Sequence, residues 1–279
     1  MDYKTILVAL GDDPARAPRL EAALALCRRF GAGLVGLTAT GTQLEPFRGA
    51  DEEAGKYAEQ AAARLQRAVD QDLAVLQAAL APSGAGVAYR HVVVEAEAGW
   101  ALATEGRFAD LILPPPLQEG DSTPPLMAKE AEYALLNAGR PVLLVPAGGT
   151  LAPGGHALVG WDGSRPAARA VSDALPLLAQ ASAVTVAVVA EEGGGGGEAE
   201  PEAGGERLLQ WLATHGVTAR LRVEHGGPPA EVLLRLAQEL DAGLLVAGGY
   251  GRGRLRERVL GGTTRTLVQR AGVPLFLSH

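Results

Sequence analysis

Residues 244–264 read LLVAGGYGRGRLRERVLGGTT, an apolar run followed by two glycine clusters that nine residues separate. The run Leu244–Ala247 is typical of a buried strand. Glycines let main-chain N–H groups approach an anion closely, and a helix beginning at Gly262 would add the positive end of its dipole. The stretch therefore predicts a phosphate-binding loop between a strand and a helix, and with it a nucleotide site.

The chain also repeats itself once. Residues 5–10, TILVAL, are echoed by residues 156–161, HALVGW, and an acidic turn and an alanine-rich helix follow each of them. Two copies of one fold explain this pattern. The remaining matches are 109–113 with 242–246 and 140–145 with 273–277. We place a first domain at 1–147, a Pro/Gly-rich linker at 148–155 and a second domain at 156–279.

Each half alternates short apolar runs with helical patterns, as βαβ units do. Strands this apolar must be covered on both faces by helices, so we predict an α/β fold of two doubly wound, five-stranded, mostly parallel sheets. The strands of the second half are predicted near 156–161, 184–190, 218–223, 243–247 and 274–278.

Two polar signals follow strands of the second half. Asp162-Gly163-Ser164 comes after its first strand, and the glycine loop comes after its fourth. If these strands are neighbours, both signals border one crevice, where such sheets bind ligands. Asp162 would then accept a hydrogen bond from a ribose hydroxyl or an exocyclic amine. The alternative is a simple turn and cap before the helix at Pro166, but the presence of two signals favours the ligand site.

This order of motifs resembles the universal stress protein family. A strand, Asp-Gly-Ser, an alanine-rich helix and later Gly-x2-Gly-x9-Gly before a last helix and a Val-Pro strand all stand in the second half, and nearly the whole chain resembles a tandem member. The resemblance implies the sheet order 3-2-1-4-5 and ATP, ADP or AMP as ligand, with Mg²⁺ as a companion ion. By resemblance, Asp162 contacts the nucleoside, Val189 lies beside adenine, and Gly248, Gly251 and Gly261 hold the phosphates. Gly163, Ser164, Arg252, Gly262, Thr263 and Thr264 complete the predicted site.

One residue departs from the family pattern, because Gly262 stands where nucleotide-binding members carry Ser or Thr. Thr263 or Thr264 is the candidate substitute for the missing hydroxyl. Arginines at 252, 254, 256 and 258 either pair with phosphate or lie on a solvated loop, and the sequence leaves both interpretations open.

The first half carries Gly11-Asp12-Asp13 and Pro114–Pro116 at the equivalent positions. Prolines have no N–H donors, and paired carboxylates repel phosphate, so we predict no nucleotide site of this kind there. Asp12 and Asp13 are interpreted as helix caps. The family dimerises through its last strands, so the resemblance implies that 141–145 and 274–278 pair as antiparallel edges within one chain.

Composition excludes several classes of protein. A net charge of −7 without a basic stripe argues against a nucleic-acid partner, and no apolar run is long enough to span a bilayer. Met1–Lys4 leads directly into a strand, which predicts no secretory leader. Cys27 is the single cysteine and lies on an apolar helix face, so we expect a core residue in a cytoplasmic protein. The five histidines lack metal-ligand spacing, which predicts no metal site.

Three functions fit the sequence. The first is a stress-response module that binds adenine nucleotide in the second domain and signals to an unknown protein partner, with homo-oligomerisation left open. The second is a weak ATPase, which at most hydrolyses slowly because neither a Walker motif nor a kinase motif set is present. The third is an interaction scaffold whose nucleotide site has decayed. We predict the first.

Overall fold

The computed structural model describes residues 2–41, 52–83, 86–116, 129–151, 154–190, 201–251 and 262–279. In these residues the chain forms ten strands and eight helices. The strands are β1 (Thr5–Ala9), β2 (Gly33–Ala39), β3 (Tyr89–Val94), β4 (Leu111–Leu113), β5 (Val142–Leu144), β6 (His156–Gly160), β7 (Ala183–Ala190), β8 (Arg220–His225), β9 (Ala242–Gly248) and β10 (Leu275–Ser278). The helices are α1 (Arg16–Phe30), α2 (Glu52–Ser83), α3 (Ala98–Gly106), α4 (Glu130–Asn137), α5 (Arg165–Leu178), α6 (Pro201–Thr214), α7 (Pro229–Glu239) and α8 (Gly262–Arg270).

All ten strands join one sheet in the order β3-β2-β1-β4-β5-β10-β9-β6-β7-β8. Within each half the order is 3-2-1-4-5 and every pair is parallel, which confirms the predicted fold. The two halves meet where β5 and β10 pair antiparallel, with Leu143 opposite Phe276. This pairing confirms that the last strands of the two halves close against each other within one chain.

Apolar side chains cover both faces of the sheet because successive residues of a strand point to opposite sides. Leu7 packs on one face and Val8 on the other, and both are buried. Helices α1, α2, α5 and α6 cover the face of Val8, whereas α3, α4, α7 and α8 cover the face of Leu7. The described helices thus cover both faces of the sheet. They leave uncovered the outer edges of β3 and β8 and the ends of the strands.

The longest described helix, α2, has 32 residues and carries charged side chains along its length. It is amphipathic and lies against the sheet through residues such as Leu76, which is fully buried. Among the described residues, no helix is both long enough and apolar enough to cross a membrane.

Cys27 lies in α1 with 1% of its surface exposed, in agreement with its predicted place in the core. Burial raises the pKa of its thiol to about 12, so the thiol is almost entirely protonated at pH 8. We expect no labelling of the native protein by a disulfide reagent at pH 8 and one equivalent of labelling in denaturant, because the thiolate is the reactive form. Labelling of the native protein within minutes would instead mean that α1 opens readily.

Candidate functional site

The two signals of the second half meet at one edge of the sheet. Strands β6 and β9 are parallel neighbours, with Val159 opposite Val246, so the segments that follow them emerge side by side. A Cβ placed on Gly251 would lie 3.4 Å from the hydroxyl oxygen of Ser164. The start of the glycine loop and the Asp-Gly-Ser turn therefore lie side by side, although they are far apart in the sequence.

The Asp-Gly-Ser turn caps helix α5. A carboxylate oxygen of Asp162 accepts a hydrogen bond from the Ser164 N–H at 2.9 Å, and Gly163 has a positive φ of 72°. The Ser164 hydroxyl in turn accepts from the Ala167 N–H at 3.3 Å, as an N-cap residue does. The turn thus caps α5, as the alternative interpretation predicted. Capping does not exclude ligand binding by the same turn. Asp162 is exposed, and a carboxylate that accepts one hydrogen bond keeps capacity for others.

The first two glycines of the loop are closely packed, and at Gly248 the packing excludes any side chain. A Cβ on Gly248 would lie 2.5 Å from the main-chain nitrogen of Ala167, so only glycine lets α5 approach the end of β9. A Cβ on Gly249 would lie 2.7 Å from the side chain of Leu135 in α4 of the first half, and the Gly249 N–H donates to the Ser278 carbonyl at 2.8 Å. The approach of α5 is a structural reason for Gly248, which the sequence pattern did not reveal.

Tyr250 is the unusual residue of the loop. Its φ of 53° lies in the left-handed region, which costs a residue with a large side chain on the order of 1–3 kcal/mol. Its N–H donates to the Thr264 hydroxyl oxygen at 3.0 Å, and its own hydroxyl donates to the carboxylate of Glu132 in α4. Sequence reasoning missed both Tyr250 and Glu132.

The two threonines at the start of α8 have different surroundings. Thr264 is buried and accepts the hydrogen bond from the loop, so its oxygen faces the loop backbone. Thr263 is exposed in the first turn of α8, beside the exposed Gly262. Of the two candidate substitutes for the missing hydroxyl, Thr263 is therefore the accessible one.

The remaining predicted residues fall in two groups. Val189 is half-buried near the carboxyl end of β7, which is the neighbour of β6. Arg252 and Gly261 lie outside the described residues, as do the arginines at 254, 256 and 258. Among the described residues, no cluster of His, Cys, Asp and Glu has the geometry to hold a metal ion.

The equivalent turn of the first half is closed by an internal ion pair. The guanidinium of Arg19 is fully buried and binds both carboxylate oxygens of Asp13, at 3.0 and 2.6 Å. Its Nε also donates to the Ala9 carbonyl at 3.0 Å. Asp13 accepts from the Ala15 N–H at 2.9 Å in the turn before α1, and the exposed Asp12 pairs with Arg16. The N-cap of α1 is Ala15 and no side chain caps it, so the interpretation of Asp12 and Asp13 as helix caps was wrong.

A cavity of about 250 Å³ opens beside this turn and reaches across to the second half. Its walls are mostly apolar, and proline contributes no N–H donor to them. Asp13, Pro14, Pro116, Pro146, Val268 and Leu275 are among the lining residues. The described lining of this cavity therefore offers a phosphate few main-chain donors.

Comparison with known proteins identifies the family. The sequence profile of the universal stress protein family matches residues 2–146 and, a second time, residues 155–279. The protein belongs to the universal stress protein family. The two matches make it a tandem member, as its repeat predicted. No curated protein matches it significantly in sequence.

Solved structures agree with this assignment of fold. A universal stress protein from Archaeoglobus fulgidus DSM 4304 is 16% identical, with a TM-score of 0.73 over 98% of this chain and 97% of that one. A putative universal stress protein from Pseudomonas aeruginosa UCBPP-PA14 is 18% identical, with a TM-score of 0.60 over 98% and 92%. These two likenesses cover both halves and show the tandem fold. A universal stress protein in complex with cAMP is 25% identical and matches 46% of this chain and 98% of its own, with a TM-score of 0.39.

Proposed function

We propose that this universal stress protein binds an adenine nucleotide in its second domain and acts as a nucleotide-responsive binding module, while its first domain binds none in this way. The observation that carries the proposal is that Gly251 and the Asp-Gly-Ser turn lie side by side at the carboxyl ends of β6 and β9, with room for no more than a methyl group between Gly251 and Ser164. Ligands of doubly wound sheets bind at this end of the strands.

The chemistry of the exposed groups supports each part of a nucleotide. Asp162 is an exposed acceptor for a ribose hydroxyl, and Val189 offers an apolar side chain to the base. Gly262 and Thr263 begin α8, whose first N–H groups have no partner within the helix and attract an anion. Mg²⁺ enters the proposal with the nucleotide, because proteins usually bind this ion through substrate phosphates and one or two carboxylates.

Titration calorimetry with ATP and Mg²⁺ tests the proposal. The intact protein is expected to bind about one equivalent of ATP, and Gly251→Asp to bind at least about 100-fold more weakly, because like charges brought into contact repel by several kcal/mol. Gly251→Ala separates the charge from the loss of the glycine: a Cβ there meets its nearest neighbour at an ordinary 3.4 Å, so this variant should bind ATP clearly more tightly than Gly251→Asp. Titrations with ADP and AMP then rank the nucleotides.

Two outcomes would contradict the proposal. If the intact protein gives neither heat nor a thermal shift with any of the three nucleotides, the chain is a scaffold and the nucleotide proposal is wrong. If Gly251→Asp binds ATP as the native protein does, the nucleotide binds elsewhere and the assignment of the loop is wrong.

A further inference from the structure

We infer that Glu132, in the first domain, is a positioning residue for the nucleotide site of the second domain and acts through Tyr250. The inference rests on the proposed function, since it concerns the loop that would hold the phosphates. It gives the first domain a part in ligand binding, although Pro114–Pro116 stand there at the position of the glycine loop.

The backbone of Tyr250 needs to be held in place. Its φ of 53° is a conformation that a tyrosine leaves unless its surroundings prevent it. Tyr250 directly precedes Gly251, the residue that lies beside the Asp-Gly-Ser turn, so a change in the Tyr250 backbone would displace the Gly251 N–H.

Among the described contacts, each domain supplies Tyr250 with a hydrogen bond. The Thr264 hydroxyl oxygen accepts from its N–H at 3.0 Å and ties it to α8 of its own domain. The Glu132 carboxylate accepts from its hydroxyl and ties it to α4 of the first domain. Tyr250 is only 5% exposed, so its side chain is held in a packed environment.

The first domain also holds the residue before it. Gly249 packs against Leu135, which lies one turn along α4 from Glu132. One face of α4 therefore supports two successive residues of the loop.

The chemistry of Glu132 makes this support strong. The carboxylate is buried, and a buried carboxylate strongly prefers a hydrogen-bond donor to an apolar surrounding. A hydrogen bond from a phenol to a carboxylate is stronger than one between neutral groups. Tyr250 cannot turn away without depriving Glu132 of this donor, and a loop already held in its binding conformation binds a ligand more tightly.

Thermodynamic linkage gives a second consequence. If Glu132 favours the binding conformation of the loop, a bound nucleotide must in turn stabilise the contact with Glu132. Nucleotide binding in the second domain therefore stabilises α4 of the first domain.

The test compares ATP binding by the native protein with that by Glu132→Ala, Glu132→Gln and Tyr250→Phe. We expect Kd to rise about tenfold in Glu132→Ala and Tyr250→Phe, which corresponds to about 1.4 kcal/mol. Glu132→Gln should stay within about twofold, because its amide oxygen still accepts from Tyr250. The control is Leu102→Ala, which removes buried apolar packing from α3 and should lower the melting temperature but leave Kd unchanged.

Hydrogen exchange supplies a readout that a merely structural role would not change. ATP should slow the exchange of residues 130–137 in the native protein but not in Tyr250→Phe. If the native protein binds ATP and Glu132→Ala binds it equally well, the inference is wrong while the proposed function stands. If the native protein binds no nucleotide, the proposed function fails and the inference fails with it.

Discussion

Replacing Arg19 by methionine is expected to lower the free energy of unfolding by about 3–5 kcal/mol. Methionine fills much of the same space, so the loss comes from Asp13, whose carboxylate is 12% exposed and would lose both of its bonds to the guanidinium. The Ala9 carbonyl at the end of β1 would lose its donor as well. Urea denaturation, with the slope checked for constancy, measures the change.

Two variants separate this charge effect from a general effect of losing arginine. Adding Asp13→Asn to Arg19→Met should recover part of the loss, because the buried charge without a partner is then gone. Arg169→Met removes a 51% exposed guanidinium paired with Asp173 one turn away and should change stability by at most about 0.5 kcal/mol. A loss below about 1 kcal/mol for Arg19→Met would mean that Asp13 is not held away from water.

Truncating Phe276 to alanine is expected to lower the free energy of unfolding by about 3–5 kcal/mol, the usual range for a buried phenylalanine. Phe276 is fully buried in β10, opposite Leu143 of β5, so the cavity would open where the two halves join. Fluorescence and circular dichroism, followed together in urea, measure both the loss and its cooperativity.

The junction makes the form of this transition informative. Because one sheet runs through both halves, the native protein should unfold in a single step seen equally by both probes. Phe108→Ala, at a residue that is 74% exposed, should stay within about 0.5 kcal/mol of the native protein. A Phe276→Ala protein as stable as the native one would show that the junction relaxes around the missing ring.

Much of the fold could be predicted because its signals are local. Apolar runs located the strands of the second half to within about two residues, and the repeat pointed to two copies of one order. The meeting of β6 with β9, and so of the Asp-Gly-Ser turn with the glycine loop, follows from that order. The pairing of β5 with β10 came from the family resemblance, since no residue pattern specifies which edges meet.

The rest depends on contacts between residues distant in sequence. The glycine pattern predicted that Gly248 binds phosphate. It did not show that a Cβ on Gly248 would lie 2.5 Å from the backbone of α5. Glu132 and Tyr250 are 118 residues apart, and nothing near either one indicates the other. Arg19 lies on the buried side of α1 beside Leu20, and that position for a charged residue was the one local signal of a buried ion pair.

Because β5 and β10 belong to the same chain, a single substitution can alter one half of the sheet and leave the other half unchanged. In a symmetric dimer every substitution appears in both copies of a site, so neither copy can change alone. Here the two copies are separate stretches of one chain, so each can change alone. Because they are covalently linked, they do not dissociate on dilution. One end of the sheet can therefore carry the Asp13–Arg19 ion pair while the other keeps an exposed Asp162 beside Gly251.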